Sequence, residues 1–230
     1  MSVNSQVARN QSGQTFNSVF ESTNSLATLF SGRYQGGQRM VEWFTGHSLN
    51  TDRWTLQNNT ALPTVSMQNG IDGGLFMTNT GTGYGGSLSF NNKRQYGNPC
   101  SCIIVLKNTT TDGITYAGFD RNGAPSTAGG LGGSNSTAVI EMGGAVNMSL
   151  VVTNAGSGWD RTATSIATAN TDWHCVKIDV KTSSTNLSIE GVLEATRALA
   201  PSTTMQPCIQ GRNAGSNATT YVRYFEAWNT

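Results

Sequence analysis

At 230 residues, with 14 basic and 13 acidic side chains, the chain carries a formal net charge of +1. That balance offers no electrostatic case for a nucleic-acid partner, and no stretch approaches the roughly 18 consecutive apolar residues of a membrane span. Only 12% of residues are charged, and 27 glycines accompany abundant Ser, Thr and Asn, which favours strands and tight turns over helices. One large all-β domain is ordinary at this length, and a weakly charged surface suits packing against neighbouring subunits.

Residues 1–37 differ from the rest: they are polar, with one apolar cluster of Phe16, Val19, Phe20, Leu26, Leu29 and Phe30. Each half of that cluster has i, i+3, i+4 spacing, so one or two short helices are conceivable, although the interspersed Asn, Ser and Thr weaken them. Two readings stay open: a disordered tail, or an arm that orders by docking on another subunit. Burying each Phe or Leu contributes ~1.5–3 kcal/mol, enough for several together to hold such an arm. The first residues lack the apolar core of a secretion signal. Synthesis in a host cytoplasm is therefore expected, with Cys100, Cys102, Cys175 and Cys208 as free thiols.

From Arg39 the sequence alternates strand and turn. Met40–Phe44, Arg53–Leu56, Pro63–Gln68, Leu75–Thr78 and Ser87–Phe90 read as short strands separated by Asn-, Asp- and Gly-containing turns. Ser101–Lys107 is a continuous apolar run of the kind buried on both faces. Ile114–Phe119, Thr137–Met142 and Val146–Thr153 follow, with a long Gly/Ser/Asn loop over Arg121–Ser136. In Trp173–Lys181 the period is two: Trp173, Cys175, Lys177 and Asp179 take one face, and His174, Val176, Ile178 and Val180 the other. Asn186–Glu190 and Val192–Ala195 form a hairpin about Gly191, and a polar return leads to the last strand, Tyr221–Trp228. Roughly thirteen short strands with turns between them predict an all-β, two-sheet antiparallel sandwich over 38–230. Trp54, Trp173 and Trp228, all in strand contexts, are expected in its core.

Three places in this order resemble the concanavalin A-like lectin/glucanase superfamily, including its laminin-G-like members. They are D-R-W-T-L-Q-N-N (Asp52–Asn59) followed by G-G-L-F-M-T-N-T-G (Gly73–Gly81); the pair S-C-I-I-V-L-K and I-T-Y-A-G-F; and W-H-C-V-K-I-D-V, L-S-I-E-G-V-L-E-A-T and Y-V-R-Y-F-E-A-W-N. The resemblance covers about residues 38–230. It implies a curved antiparallel jelly roll used to bind sugars, to hydrolyse glycans or to build virus particles.

Glycan hydrolysis needs two carboxylates flanking one bond, and the glucanase members are similar to E-x-D-x-E on a single strand. Here Glu141 stands alone in A-V-I-E-M-G-G, and Glu190 and Glu194 straddle Gly191. The two histidines, His47 and His174, accompany no G-x-S-x-G, and His174 is expected as a hydrogen-bonded core residue. Cys100-x-Cys102 with His174, Cys175 and Cys208 permits a zinc reading, but the spacing is better suited to small buried apolar groups. Asp52, Asp72, Asp112 and Asp160 are scattered, so no calcium site is expected. These absences lead to the expectation of a protein that is not an enzyme and has neither cofactor nor metal.

For sugar binding the useful feature is an aromatic ring on a loop. Trp159, with Asp160 and Arg161 as polar neighbours, is one candidate and Tyr84 another; the alternative is that Trp159 packs on its own sandwich or on a neighbouring subunit. The leading expectation is a structural virion protein, such as a capsid decoration, head-fibre or spike subunit of a bacteriophage. It would be a homo-oligomer, with a trimer favoured, bound to a capsid or other virion protein and possessing some adhesion to cell-surface glycans. A lectin-like module is the alternative.

Overall fold

The computed structural model describes residues 39–44, 48–57, 64–68, 73–79, 86–108, 113–122, 136–143, 145–154, 160–168, 172–213 and 218–229. They lie within one compact unit, Gln38–Asn229. The expected arm, with Phe16, Val19, Phe20, Leu26, Leu29 and Phe30, is outside the described residues.

The described chain is two stacked antiparallel sheets. The eight-stranded sheet contains β1 (Arg39–Trp43), β3 (Thr64–Gln68), β4 (Gly74–Asn79), β6 (Cys100–Asn108), β11 (His174–Val180), β12 (Thr185–Ile189), β13 (Val192–Arg197) and β15 (Ala218–Asn229). Its order is β13-β12-β11-β6-β15-β4-β3, and β1 also pairs with β15. The seven-stranded sheet contains β2 (Thr55–Gln57), β5 (Ser87–Ser89), β7 (Gly113–Asp120), β8 (Thr137–Met142), β9 (Asn147–Thr153), β10 (Asp160–Ala167) and β14 (Gln206–Asn213), in the order β10-β9-β8-β7-β14-β5-β2. The expected sandwich is therefore present, and it contains two strands beyond those predicted, β10 and β14.

Alternation puts Val176, Ile178 and Val180 of β11 and Cys100, Cys102, Ile104 and Leu106 of β6 into the space between the sheets. Ala138, Ile140 and Met142 of β8 and Met148, Leu150 and Val152 of β9 meet them from the other layer. Trp54, just before β2, is the aromatic hub of this core. Its ring lies 5.5 Å from Phe44, 4.8 Å from Phe90 and 5.7 Å from Phe225, which ties β1, β5 and β15 together. Trp228 is buried as expected, with Ile103 and Tyr224 in a separate cluster on the outer face of the eight-stranded sheet. Trp173 corrects the core expectation: half-buried, it is stacked under the Arg223 guanidinium at 4.1 Å and lies beside Tyr221 at 6.3 Å.

The hairpin at Gly191 takes its expected form. Glu190 and Gly191 have φ of 51° and 81° between paired Ile189 and Val192, the positive angles of a type I′ turn whose twist matches its strands. A second special backbone position lies inside β7. At Gly118, with φ 146°, an added Cβ would sit 2.5 Å from the Ala138 carbonyl oxygen and 2.9 Å from Ile178 Cδ1.

His174 is buried as expected, but neither ring nitrogen makes a hydrogen bond to the described protein. The nearest carboxylate oxygen, on Glu190, is 3.5 Å from Nδ1 and already accepts the Cys175 N–H at 2.9 Å. The four thiols do not converge. Cys100 and Cys102 face the core, Cys208 belongs to the cluster on the outer face of the seven-stranded sheet, and Cys175 is exposed. Burial, with Asp179 adding to it, pushes Cys100 up to about 12; burial raises Cys102 and Cys208 well above the usual thiol range. A thiolate is the reactive form, so a thiol reagent at pH 8 should modify Cys175 alone in the folded chain and all four cysteines in denaturant. Gly118→Ala should lower the urea midpoint by the equivalent of about 2–4 kcal/mol, from backbone strain plus overpacking; an unchanged midpoint would show that β7 can relax there.

Candidate functional site

The middle of the seven-stranded sheet, β7 to β9, is buried on both faces. Every residue of β7 and β8 is buried, and so are six of the seven in β9. The face turned away from the core carries its own cluster, Ile114, Tyr116, Val139, Val151 and Cys208. Polar groups sit among them, and a polar group in such a place must be paired.

Glu141 is the charged group at the centre of that face. It lies opposite Tyr116 on β7 and Ser149 on β9. Two strands away, Arg161 of β10 reaches back and donates from Nε to Glu141 Oε2 at 2.8 Å. The carboxylate is 3% exposed and the guanidinium 47%, so a buried acid carries a base that meets solvent. Burial works against the Arg161 charge, but the hydrogen bond and charge of Glu141 outweigh it, with Tyr116 adding to them, and raise the guanidinium above its usual value. The fork of an arginine has five donors, and here Glu141 and the Tyr116 hydroxyl together hold it in a fixed orientation at the solvent boundary.

At the far end of the same face Asp120 is fully buried. Its Oδ2 accepts from Thr137 Oγ1 at 2.7 Å and its Oδ1 from the Asn122 N–H at 2.9 Å. Thr137, Val139 and Glu141 are the alternate outward positions of β8, so the strand reads T-x-V-x-E. Asp120 pairs with Thr137, four residues along β8 from Glu141. That is about 13 Å along the sheet at ~3.3 Å per residue, and the bonds of Asp120 hold it at that end. Next to it, Gln206 of β14 bonds the carbonyl of Arg121 and the side chain of Asn92, both at 3.1 Å.

The residues singled out from sequence separate. Asp160 and Arg161 are consecutive in a strand, so they turn to opposite faces: Asp160 pairs with Arg197 of β13, linking the two sheets, while Arg161 pairs with Glu141. Trp159 and Tyr84, like His47, Asp72 and Asp112, lie outside the described residues. Glu190 and Glu194 do not share a target; Glu194 accepts from both Ser165 N, at 3.0 Å, and Ser165 Oγ, at 2.6 Å, which lowers its carboxyl below the usual value. Tyr116 and Gln206 are site residues that the sequence does not single out. The available signal was a period of two in Q-P-C-I-Q-G-R, obscured by its proline and glycine.

No protein-family model matches the sequence, and no curated protein matches it. Solved structures do match the fold. A Bacillus licheniformis β-glucanase is similar over 85% of this chain and 100% of its own, with 15% identity and a TM-score of 0.59. A Crh5 transglycosylase in complex with NAG is similar over 84% of each chain, with 15% identity and a TM-score of 0.62. The Emp47p carbohydrate recognition domain is similar over 83% of this chain and 94% of its own, with 8% identity and a TM-score of 0.58. The fold is the concanavalin A-like jelly roll of lectins and glucanases, as the resemblance implied. The expectation that the chain is not an enzyme is corrected by the same neighbours: glucanases and a transglycosylase share the architecture, so an isolated Glu141 is no ground for excluding glycan chemistry.

Removing Arg161 strands a buried carboxylate, a larger penalty than losing a surface pair. Arg161→Ala should therefore cost about 1–2 kcal/mol in urea unfolding, discounted for the half-exposed partner, and Arg161→Ala with Glu141→Gln should recover part of it. Equal loss in the single and double variants would mean that the two side chains are not coupled.

Proposed function

We propose that the chain is a glycan-directed domain that engages a saccharide at the β10 edge of the seven-stranded sheet. One observation carries the reading: a guanidinium that meets solvent, fixed in place by a buried carboxylate, on a jelly roll shared with glucanases, a transglycosylase and a carbohydrate recognition domain. A rigidly held arginine fork donates to paired sugar oxygens with little further entropy loss. Ala163, exposed two residues further along β10, leaves room for a ring to lie along the strand. Trp159, two residues before Arg161 in sequence, is proposed as the stacking partner.

Bond cleavage is the companion reading. Glu141 is the carboxyl group on that face that faces Arg161, and it supports a role as proton donor or acceptor toward a bound glycosidic oxygen. The virion-subunit reading, with homo-oligomer formation on a capsid or other virion protein, is retained as a proposal supported by the 12% charge content and by the apolar cluster of residues 1–37.

A glycan array probed with the full chain should show retention of a defined glycan, weakened about tenfold in Arg161→Ala and in Trp159→Ala. Release of reducing ends from β-1,3- or β-1,3-1,4-glucans, abolished in Glu141→Gln, would add catalysis to binding. Absence of both retention and reducing ends would reject the glycan-directed reading.

A further inference from the structure

A second site lies at the opposite end of the same sheet. Four of the chain's 14 basic residues, Arg39, Arg53, Lys93 and Arg94, line one cleft of about 300 Å³ beside β1, β2 and the end of β5. Asp52 is the one carboxylate among its described lining residues. That volume is at the lower end for ligand pockets, suited to a small anion with part of whatever carries it. The Glu141–Arg161 pair is on β8 and β10, and the cleft borders β5 and β2 at the far side of β14. The two sites therefore stand independently.

The four cations are not equivalent. Arg39 donates to Glu226 at 2.8 Å and Arg53 to Glu42 at 3.2 Å, so each has a carboxylate partner. Lys93 Nζ donates to the Thr51 carbonyl at 2.9 Å, and Arg94 donates to the Arg39 carbonyl at 2.8 Å and flanks the Tyr96 hydroxyl. Carbonyl oxygens orient a cation without cancelling its charge, and no described carboxylate pairs with either residue. Their loop is also held in place. Asn91 and Asn92 adopt left-handed φ of 45° and 61°, which asparagine tolerates. The Asn92 N–H donates to Gln206 Oε1 at 2.9 Å, its Oδ1 accepts from Gln206 Nε2 at 3.1 Å, and the Lys93 N–H closes the turn on Phe90 at 2.9 Å. Gln206 is itself fully buried. Two charge-bearing side chains, unneutralised and positioned in advance, form the kind of arrangement that binds oxyanions through charge-assisted hydrogen bonds.

We propose that this cleft binds a sulfate or phosphate group, with Lys93 and Arg94 as its direct ligands and Arg53 at its rim. The group is either a free ion or an ester carried on a polysaccharide, since the recognising chemistry is the same. The test uses the full chain at fixed ionic strength: calorimetric titration with inorganic sulfate and inorganic phosphate, and retention on dextran sulfate against neutral dextran. One anion should bind per chain, about tenfold more weakly in Lys93→Gln/Arg94→Gln and unchanged in Lys181→Gln, an exposed lysine elsewhere. Asp52→Asn, which removes the opposing charge, should tighten binding. Retention on dextran sulfate assigns the group to a polysaccharide ester, and binding confined to the inorganic ions assigns a free ion; either supports the site. Absence of saturable binding, or equal affinity in the double variant and the wild type, overturns it. If the double variant does not fold, Asp52→Asn decides, and unchanged affinity there overturns the proposal.

Discussion

The last strand, β15, is the constraint on which the larger sheet depends. Of its twelve residues, Thr220–Asn229 run along β6 on one edge, while the other edge is shared in succession by β4 and β1. The change of partner is made by one extra residue. Val222 faces Leu106 and Tyr224 faces Val105, so Arg223 is inserted as a bulge. Its carbonyl accepts the Phe44 N–H at 3.0 Å where β1 ends, and its guanidinium stacks on Trp173. The bulge also resets the alternation, placing Val222 and Phe225 in the core and Tyr224, Glu226 and Trp228 on the outside. Phe225 then reaches the Trp54 ring, and the two sheets are joined through that contact.

Each sheet carries a buried carboxylate held by an arginine, a group that burial would forbid if it were alone. On the larger sheet Glu226 is fully buried and accepts from Arg39 at 2.8 Å and from the Tyr224 hydroxyl at 2.5 Å. On the smaller, Glu141 is held by Arg161. In both, a buried carboxylate fixes an arginine whose far side meets solvent. The desolvation cost of each acid is offset only by a partner in good geometry, so each pair sets the position of a cation on the surface. The difference is in what lies next to it. Arg39 leads into the cleft with Lys93 and Arg94, while Arg161 stands on an edge strand with small neighbours. One fold thereby presents two chemically distinct polar surfaces at opposite ends of a sheet.

Edge exposure has a physical consequence of its own. Trp43 is 58% exposed and meets the Tyr224 ring at a tilt, with centroids 4.4 Å apart, and Val192 and Leu193 at the β12–β13 turn are also exposed. Apolar side chains at sheet margins favour contact with other surfaces, which is consistent with the weak surface charge noted from composition.

How much of this was legible without coordinates depends on what each residue's neighbours supply. Period-two alternation placed β11 and its hairpin correctly, because one face of that strand meets the core and Glu190-Gly191 has turn chemistry of its own. The low charge and the glycine content determined the all-β class, since few residues favour a helix. Two strands were invisible for opposite reasons. In β10, D-R-T-A-T-S-I-A has little apolar alternation because an edge strand need not bury one side. In β14, Pro207 and Gly211 read as breakers and Gln206 and Gln210 as loop polarity, yet β5 stops opposite Cys208 and does not extend to the proline, and Gln206 is satisfied by Asn92 and Arg121. The pairing of Glu141 with Arg161, twenty residues away in sequence, and the gathering of Arg39, Arg53, Lys93 and Arg94 could not be read from spacing. Local sequence sets which face a side chain takes; only the order of strands in the sheet decides which other side chain it meets there.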